Sequence, residues 1–142
     1  MKDIKFIQEY LKRYQKSLLE SDVSDSMIEM KKLLLQIHDE GKKVLIAGNG
    51  GSAAMASHVS VDLTKQAGIR TVNFNEADLI TCFANDYGYE NWVAKAIEFY
   101  GNEGDVAILI SSSGKSPNMI NAAVHAKRMK IPVITLTGFE KD

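Results

Sequence analysis

One pattern constrains this chain more than any other: an all-apolar run, then a turn of small residues, then a helical segment. It occurs twice. Val44-Leu45-Ile46-Ala47 runs into Gly48-Asn49-Gly50-Gly51-Ser52, and a small-residue helical segment follows from Ala53. Further on, Val106-Ala107-Ile108-Leu109-Ile110 runs into Ser111-Ser112-Ser113-Gly114-Lys115-Ser116, with Pro117 opening the next helix. A strand apolar on both faces belongs in a covered parallel sheet. Glycines permit a tight turn and close approach of the backbone to a ligand. A helix start then offers unbonded N–H groups and the positive end of its dipole, so strand, turn and helix together make an anion site.

The rest of the chain reads as scaffold for these two turns. Strands are expected at 44–47, 69–74, 106–110 and 131–137. Helices are expected at 52–66, 76–84, 89–100 and 116–129. Strands alternating with helices mean parallel pairing, an α/β doubly wound sheet of three layers. Two helices precede the sheet. The first, over 3–20, carries Ile4, Ile7, Leu11, Tyr14 and Leu18 in alternating steps of three and four, a stripe fitted either to its own domain or to another subunit. Ser26 and Glu29 fit a capping box for the second, which bears Ile28, Leu33, Leu34 and Ile37 and stops at Gly41. This divides the chain into a helical, oligomerising segment over 1–41 and a sheet domain over 42–142. The sequence ends after a strand and turn, which reads as a C-terminal truncation lacking a last strand and helix.

Composition narrows the function classes. The 142 residues carry a net charge of −1, which gives no electrostatic reason for a nucleic-acid or membrane partner. A single cysteine, Cys82, excludes an internal disulfide and fits a reducing, cytoplasmic setting. It is expected to be buried and inert. Tyr89, Trp92 and Phe99 are expected in the core or an interface.

The serine turn surrounds a phosphate with hydroxyls at a helix N-terminus. It is not a P-loop, because the first glycine of that motif is missing, so the phosphate is held and not transferred. The glycine turn can be forced into the dinucleotide pattern, but strand two ends in Val72-Asn73-Phe74-Asn75 without the ribose-binding acid. No nucleotide cofactor is expected, and Asn49 and Ser52 suit sugar hydroxyls better. His58 and Asp62 lie one helical turn apart on one face. They form a general acid–base pair, two ligands of one metal, or a local surface hydrogen bond. Asn85-Asp86, before Gly88, reads as a turn between two helical pieces, either a plain turn or a source of hydrogen bonds to ligand hydroxyls. His38 and His125 read as surface residues.

Taken together, GNGGSAAMASHVSVDL, FANDYGYE, GDVAILISSSGKSPNMINAA and VITLTG resemble the sugar isomerase (SIS) domain, and within it the phosphoheptose isomerases. The resemblance implies a doubly wound sheet of five parallel strands, a homotetramer with sites between subunits, and interconversion of sedoheptulose 7-phosphate and D-glycero-D-manno-heptose 7-phosphate for surface glycans such as lipopolysaccharide. A non-catalytic sugar-phosphate sensor, or an adaptor like the regulator of bacterial replication initiation, is the alternative. By the same resemblance Ser111, Ser112, Ser113 and Ser116 bind phosphate, and Asn49, Gly50, Gly51, Asn85 and Asp86 contact the sugar. His58 matches a zinc ligand. Asp62 stands where the family has a glutamate that serves as metal ligand and catalytic base. The family then continues into a strand and a helix carrying a Gln and a His.

Overall fold

The computed structural model describes residues 2–20 and 22–138. The chain divides into two compact units, Met1–Lys32 and Leu33–Asp142. The division falls inside the second helix and not after it.

In the first unit, α1 spans Lys2–Gln15 and continues into a π-helical turn over Lys16–Glu20. Its stripe of Ile4, Ile7, Leu11, Tyr14 and Leu18 is exposed throughout. The second helix, α2, runs Ser24–Asp39 and begins two residues before the capping box expected at Ser26. The cap comes from Asp22 instead, whose Oδ1 accepts the Ser24 N–H at 3.0 Å. That bond holds the Asp22 carboxyl below its ordinary range.

The second unit opens with the end of α2, where Leu34 and Ile37 are buried and Ile28, in the other unit, is not. There follow β1 (Val44–Gly48), α3 (Gly51–Lys65), β2 (Thr71–Asn73), α4 (Ala77–Tyr87), α5 (Trp92–Tyr100), β3 (Val106–Ile110), α6 (Pro117–Arg128) and β4 (Val133–Leu136). The four strands are all parallel, in the order β2-β1-β3-β4. The expected α/β doubly wound sheet is therefore present, with helices on both faces. Strands β2 and β4 are shorter than the hydrophobic runs that mark them. Ile69 and Phe74 still bury beyond the ends of β2, because core contact does not require ladder hydrogen bonds.

Side chains alternate across the sheet. Leu45 and Ala47 of β1 and Ala107 and Leu109 of β3 face the cluster built by Trp92, Val93, Ala96 and Ile97 of α5 and Met119, Ala122 and Ala126 of α6. The intervening Ile46 and Ile108 are equally buried on the other face, where α3 lies. Trp92 is 2% exposed, so its truncation to alanine costs about 3–5 kcal/mol. Tyr89 and Phe99 are exposed and not in the core of this chain, which leaves the interface as the place expected for them.

At the amino edge, Asp105 is buried just ahead of β3. It accepts the backbone N–H of Lys43 at 3.0 Å and of Asn102 at 2.8 Å, and its Oδ2 lies 2.5 Å from Lys43 Nζ. This pair ties the start of β1 to the start of β3. Among the described residues, no helix is long and apolar enough to cross a membrane. Residues 139–142, on which the reading of a missing strand and helix bears, lie outside the described residues.

Candidate functional site

Crossover direction reverses between β1 and β3, which are hydrogen-bonded neighbours in register from Val44↔Val106 to Gly48↔Ile110. In open α/β sheets ligands bind where the direction switches, outside the carboxyl ends of the strands. The glycine and serine turns leave those two strand ends side by side. Ser52 and Ser112 line one cavity of ≈ 190 Å³ with Met55, Ile110, Leu136, Thr137 and Gly138. The two turns therefore form one site.

Each glycine of the first turn has its own reason. A Cβ on Gly48 would lie 2.6 Å from the Ser52 backbone, so the strand end and the helix start pack too tightly for a side chain. Gly50 has φ 53, the left-handed region. A Cβ on Gly51 would meet nothing within 4 Å. Of the N–H groups at the start of α3, that of Ser52 goes to the Asn49 carbonyl at 2.9 Å, and the first regular helix bond runs from Ala54 to Gly50 at 3.1 Å. Helix geometry leaves those of Gly50, Gly51 and Ala53 without an intrahelical acceptor.

The serine turn is held from within. Its Gly114 N–H bonds the Ser111 carbonyl at 3.0 Å, and the Gly138 N–H bonds the Ser112 carbonyl at 3.0 Å. Ser113 Oγ accepts the Lys115 N–H at 3.2 Å. Ser116 stands at the N-cap position of α6 but makes no capping bond with its side chain. It accepts the Ser111 hydroxyl at 3.1 Å instead. Ser111 is buried, whereas Ser112 and Ser113 are exposed and Ser116 is half-buried. Ser111 thus braces the turn, and Ser112 is the serine of this turn that lines the cavity shared with Ser52.

Asn49, which the sequence reading sets against the sugar, is half-buried. Its side chain turns inward and forms a reciprocal amide pair with Asn118 of α6: Nδ2 donates to Asn118 Oδ1 at 2.9 Å, and Asn118 Nδ2 donates to Asn49 Oδ1 at 2.8 Å. The Tyr89 hydroxyl donates to the same Asn49 oxygen at 3.1 Å. Neither Asn118 nor Tyr89 stood out in the sequence as a site residue. A polar residue just inside the helix that starts at the serine turn was the available signal.

Asn85 and Asp86 do not form a turn. They sit in the last turn of α4, exposed, with Asn85 Nδ2 donating to Asp86 Oδ1 at 2.9 Å. Alpha-helical hydrogen bonding continues through them to Gly88, so the turn chemistry of Asn and Asp is overridden until glycine ends the helix. From this segment it is Tyr89 that reaches the glycine turn. Cys82 is exposed and not buried, its Sγ 3.8 Å from Asp86 Oδ2. His125 is half-buried between α5 and α6, with Nε2 3.7 Å from Glu98 Oε2, and is not a free surface residue.

His58 and Asp62 meet on the outer face of α3, Nε2 to Oδ2 at 3.5 Å, with the His58 side chain 81% exposed. At helical rise they stand ~9 and ~15 Å along α3 from Ser52. Among the described residues no group of three or more His, Cys, Asp or Glu is placed to hold a metal. Two donors fall short of the four a zinc ion takes, so these residues alone do not fit a zinc site.

The SIS domain family matches residues 6–138 of this sequence, and the chain belongs to that family. Within it, the phosphoheptose isomerase of Fusobacterium nucleatum is 42% identical over 110 residues, covering 74% of this chain and 57% of that protein. The phosphoheptose isomerase of Sulfurimonas denitrificans is 33% identical over 144 residues, covering 94% and 74%. The chain thus spans under two thirds of the Fusobacterium relative. Among solved structures, phosphoheptose isomerase from Neisseria gonorrhoeae superposes with a TM-score of 0.84 at 31% identity, over 96% of this chain and 73% of that one. The enzyme from Francisella tularensis superposes with a TM-score of 0.88 at 26% identity, over 96% and 76%.

Proposed function

We propose that this chain is a sugar-phosphate isomerase of the phosphoheptose type, acting in the cytoplasm on sedoheptulose 7-phosphate to give D-glycero-D-manno-heptose 7-phosphate for surface-glycan heptose. The observation that carries the reading is the single cavity lined by Ser52 from one turn and Ser112 from the other. The hydroxyls of Ser112, Ser113 and Ser116, with the N-terminus of α6, take the phosphate dianion. The N–H groups of Gly50 and Gly51 face the sugar. The phosphate is untouched by the reaction, so its binding energy goes into orientation.

Isomerisation moves a proton between adjacent carbons through an enediol, which needs a base and an acid. In this reading Asp62 is the base, and His58, 3.5 Å from it, relays protons to the sugar oxygens. Because the pair does not line the cavity of its own chain, a homotetramer with the site shared between subunits would close the pair over it. Asn85 and Asp86 line the rim. A zinc ion would take His58 and Asp62 as two of its donors, the others having to come from outside the described residues, and would supply polarisation of the sugar carbonyl.

One observation favours a second reading: the His58–Asp62 pair lies on an exposed face of α3 and is not among the residues that line the cavity. A binding module without turnover has that arrangement. Incubation with sedoheptulose 7-phosphate, followed by NMR for the aldose product, separates the two. Conversion supports the isomerase. Tight binding without conversion replaces it with the binding module.

A further inference from the structure

Three polar side chains on the first turns of α6 each hold a different loop. Ser116, at the N-cap, accepts the Ser111 hydroxyl and closes the serine turn. Asn118 pairs with Asn49 of the glycine turn. Asn121, one turn on, donates to the Glu90 carbonyl at 2.9 Å and to Asn91 Oδ1 at 3.1 Å. The segment Asn121 holds is the one that presents Tyr89, whose hydroxyl returns to Asn49. The loop contacts therefore close a ring around Asn49.

Counting lone pairs and protons decides what Asn49 can do. A carboxamide oxygen accepts two hydrogen bonds and its nitrogen donates two. The Asn49 oxygen already accepts from Asn118 and Tyr89, and one N–H is spent on Asn118. A single N–H is left for a ligand. Asn118 is 2% exposed, so its own amide is out of reach of any sugar. A buried amide left half paired is costly, so this arrangement is held wherever it forms.

We propose that Asn118 and Tyr89 are positioning residues for the sugar-phosphate site. They lock the Asn49 carboxamide so that it presents one N–H to the sugar, and they fix the spacing between the glycine turn and the serine turn. This rests on the sugar-phosphate reading above.

The test is titration calorimetry of the chain with sedoheptulose 7-phosphate, comparing Asn118→Asp and Tyr89→Phe with the parent, alongside ligand-free thermal melts. A carboxylate at 118 still accepts from Asn49 Nδ2 but faces the Asn49 oxygen with a second acceptor. Burial and that neighbour both favour its neutral form, and the protonated carboxyl regains a donor where the amide N–H was. The Asn118→Asp variant therefore binds about tenfold or more weakly near pH 8, and its affinity relative to the parent recovers as pH falls toward about 5. Ligand-free melts over the same pH range show the folded fraction of each variant, so a binding deficit seen where both are fully folded does not come from a loosened fold. Tyr89 is exposed, so Tyr89→Phe folds regardless. It weakens binding about threefold, and adds nothing in an Asn49→Ala background. An affinity ratio of one, a deficit independent of pH, or additive losses for Tyr89→Phe and Asn49→Ala overturn the proposal while the parent still binds. A parent that does not bind the sugar phosphate at all overturns the sugar-phosphate reading itself, and this inference with it.

Discussion

Replacing Gly51 by alanine separates folding from binding. The position opens α3, its φ is not in the left-handed region, and an added Cβ meets nothing within 4 Å. The folded chain therefore accepts the methyl without strain, and the unfolded chain loses conformational freedom. Stability rises by about 0.4–1 kcal/mol, and the melting temperature by about 1–4 °C. The space the methyl enters is the approach to the unbonded N–H groups of the glycine turn. The sugar placed there loses one N–H bond to a neutral hydroxyl, worth about 0.5–1.5 kcal/mol. Affinity falls by roughly 2- to 13-fold. Calorimetric titration with sedoheptulose 7-phosphate and a thermal melt on the same sample measure both effects. Neighbouring positions supply the contrast. Gly48→Ala brings a Cβ to 2.6 Å from the Ser52 backbone and lowers stability. Gly50→Ala is strained at φ 53 by about 1–2 kcal/mol. A Gly51→Ala protein that is more stable and binds as tightly as the parent refutes the placement of the ligand over this turn.

Ser113→Ala combined with Ser116→Ala weakens sugar-phosphate binding by about 1.5–3 kcal/mol per lost bond, and an unchanged dissociation constant removes that turn as the anchor. Asp105→Ala strands the Lys43 ammonium and two backbone N–H groups and costs about 3–5 kcal/mol in urea unfolding; a loss below 1 kcal/mol shows that the pair is not what ties the strands. Glu98 is held below the ordinary glutamate range, first by the hydrogen bond from Lys95 and then by the charges of Lys95 and His125. Its contribution is therefore present above that ordinary range and lost as pH falls through its lowered value. The stability gap between the parent and Glu98→Gln should close in acid, and a gap that widens there reverses the sign.

The sheet was legible because its evidence is local. Val44–Ala47 and Val106–Ile110 are apolar at every position, which only a strand covered on both faces requires. Gly50 and Gly51 mark a turn whatever surrounds them. The serine turn was legible for the same reason. What escaped lies in pairings distant in sequence. Nothing near Asn118 announces that Asn49 turns inward to meet it, and the Asn49–Asn118 pair exists only once β1 and β3 are adjacent. Asn85 and Asp86 misled because their turn preference is weak beside the packing of Phe83 and Tyr87, whose rings meet edge to face at 5.8 Å. Cys82 misled because Phe83 beside it points to the core while the helix turns the thiol to solvent.

The Lys43–Asp105 pair has a mechanical consequence. Strands β1 and β3 are fastened at their amino ends by that ion pair, and beyond their carboxyl ends two facing amides join the turn after β1 to the first turn of α6, the helix that follows β3. A plank bolted at both ends neither slides nor splays. Any breathing of the cleft falls instead to its open flank, the tip of β4. Hydrogen exchange should show the central strands silent while that flank opens and closes.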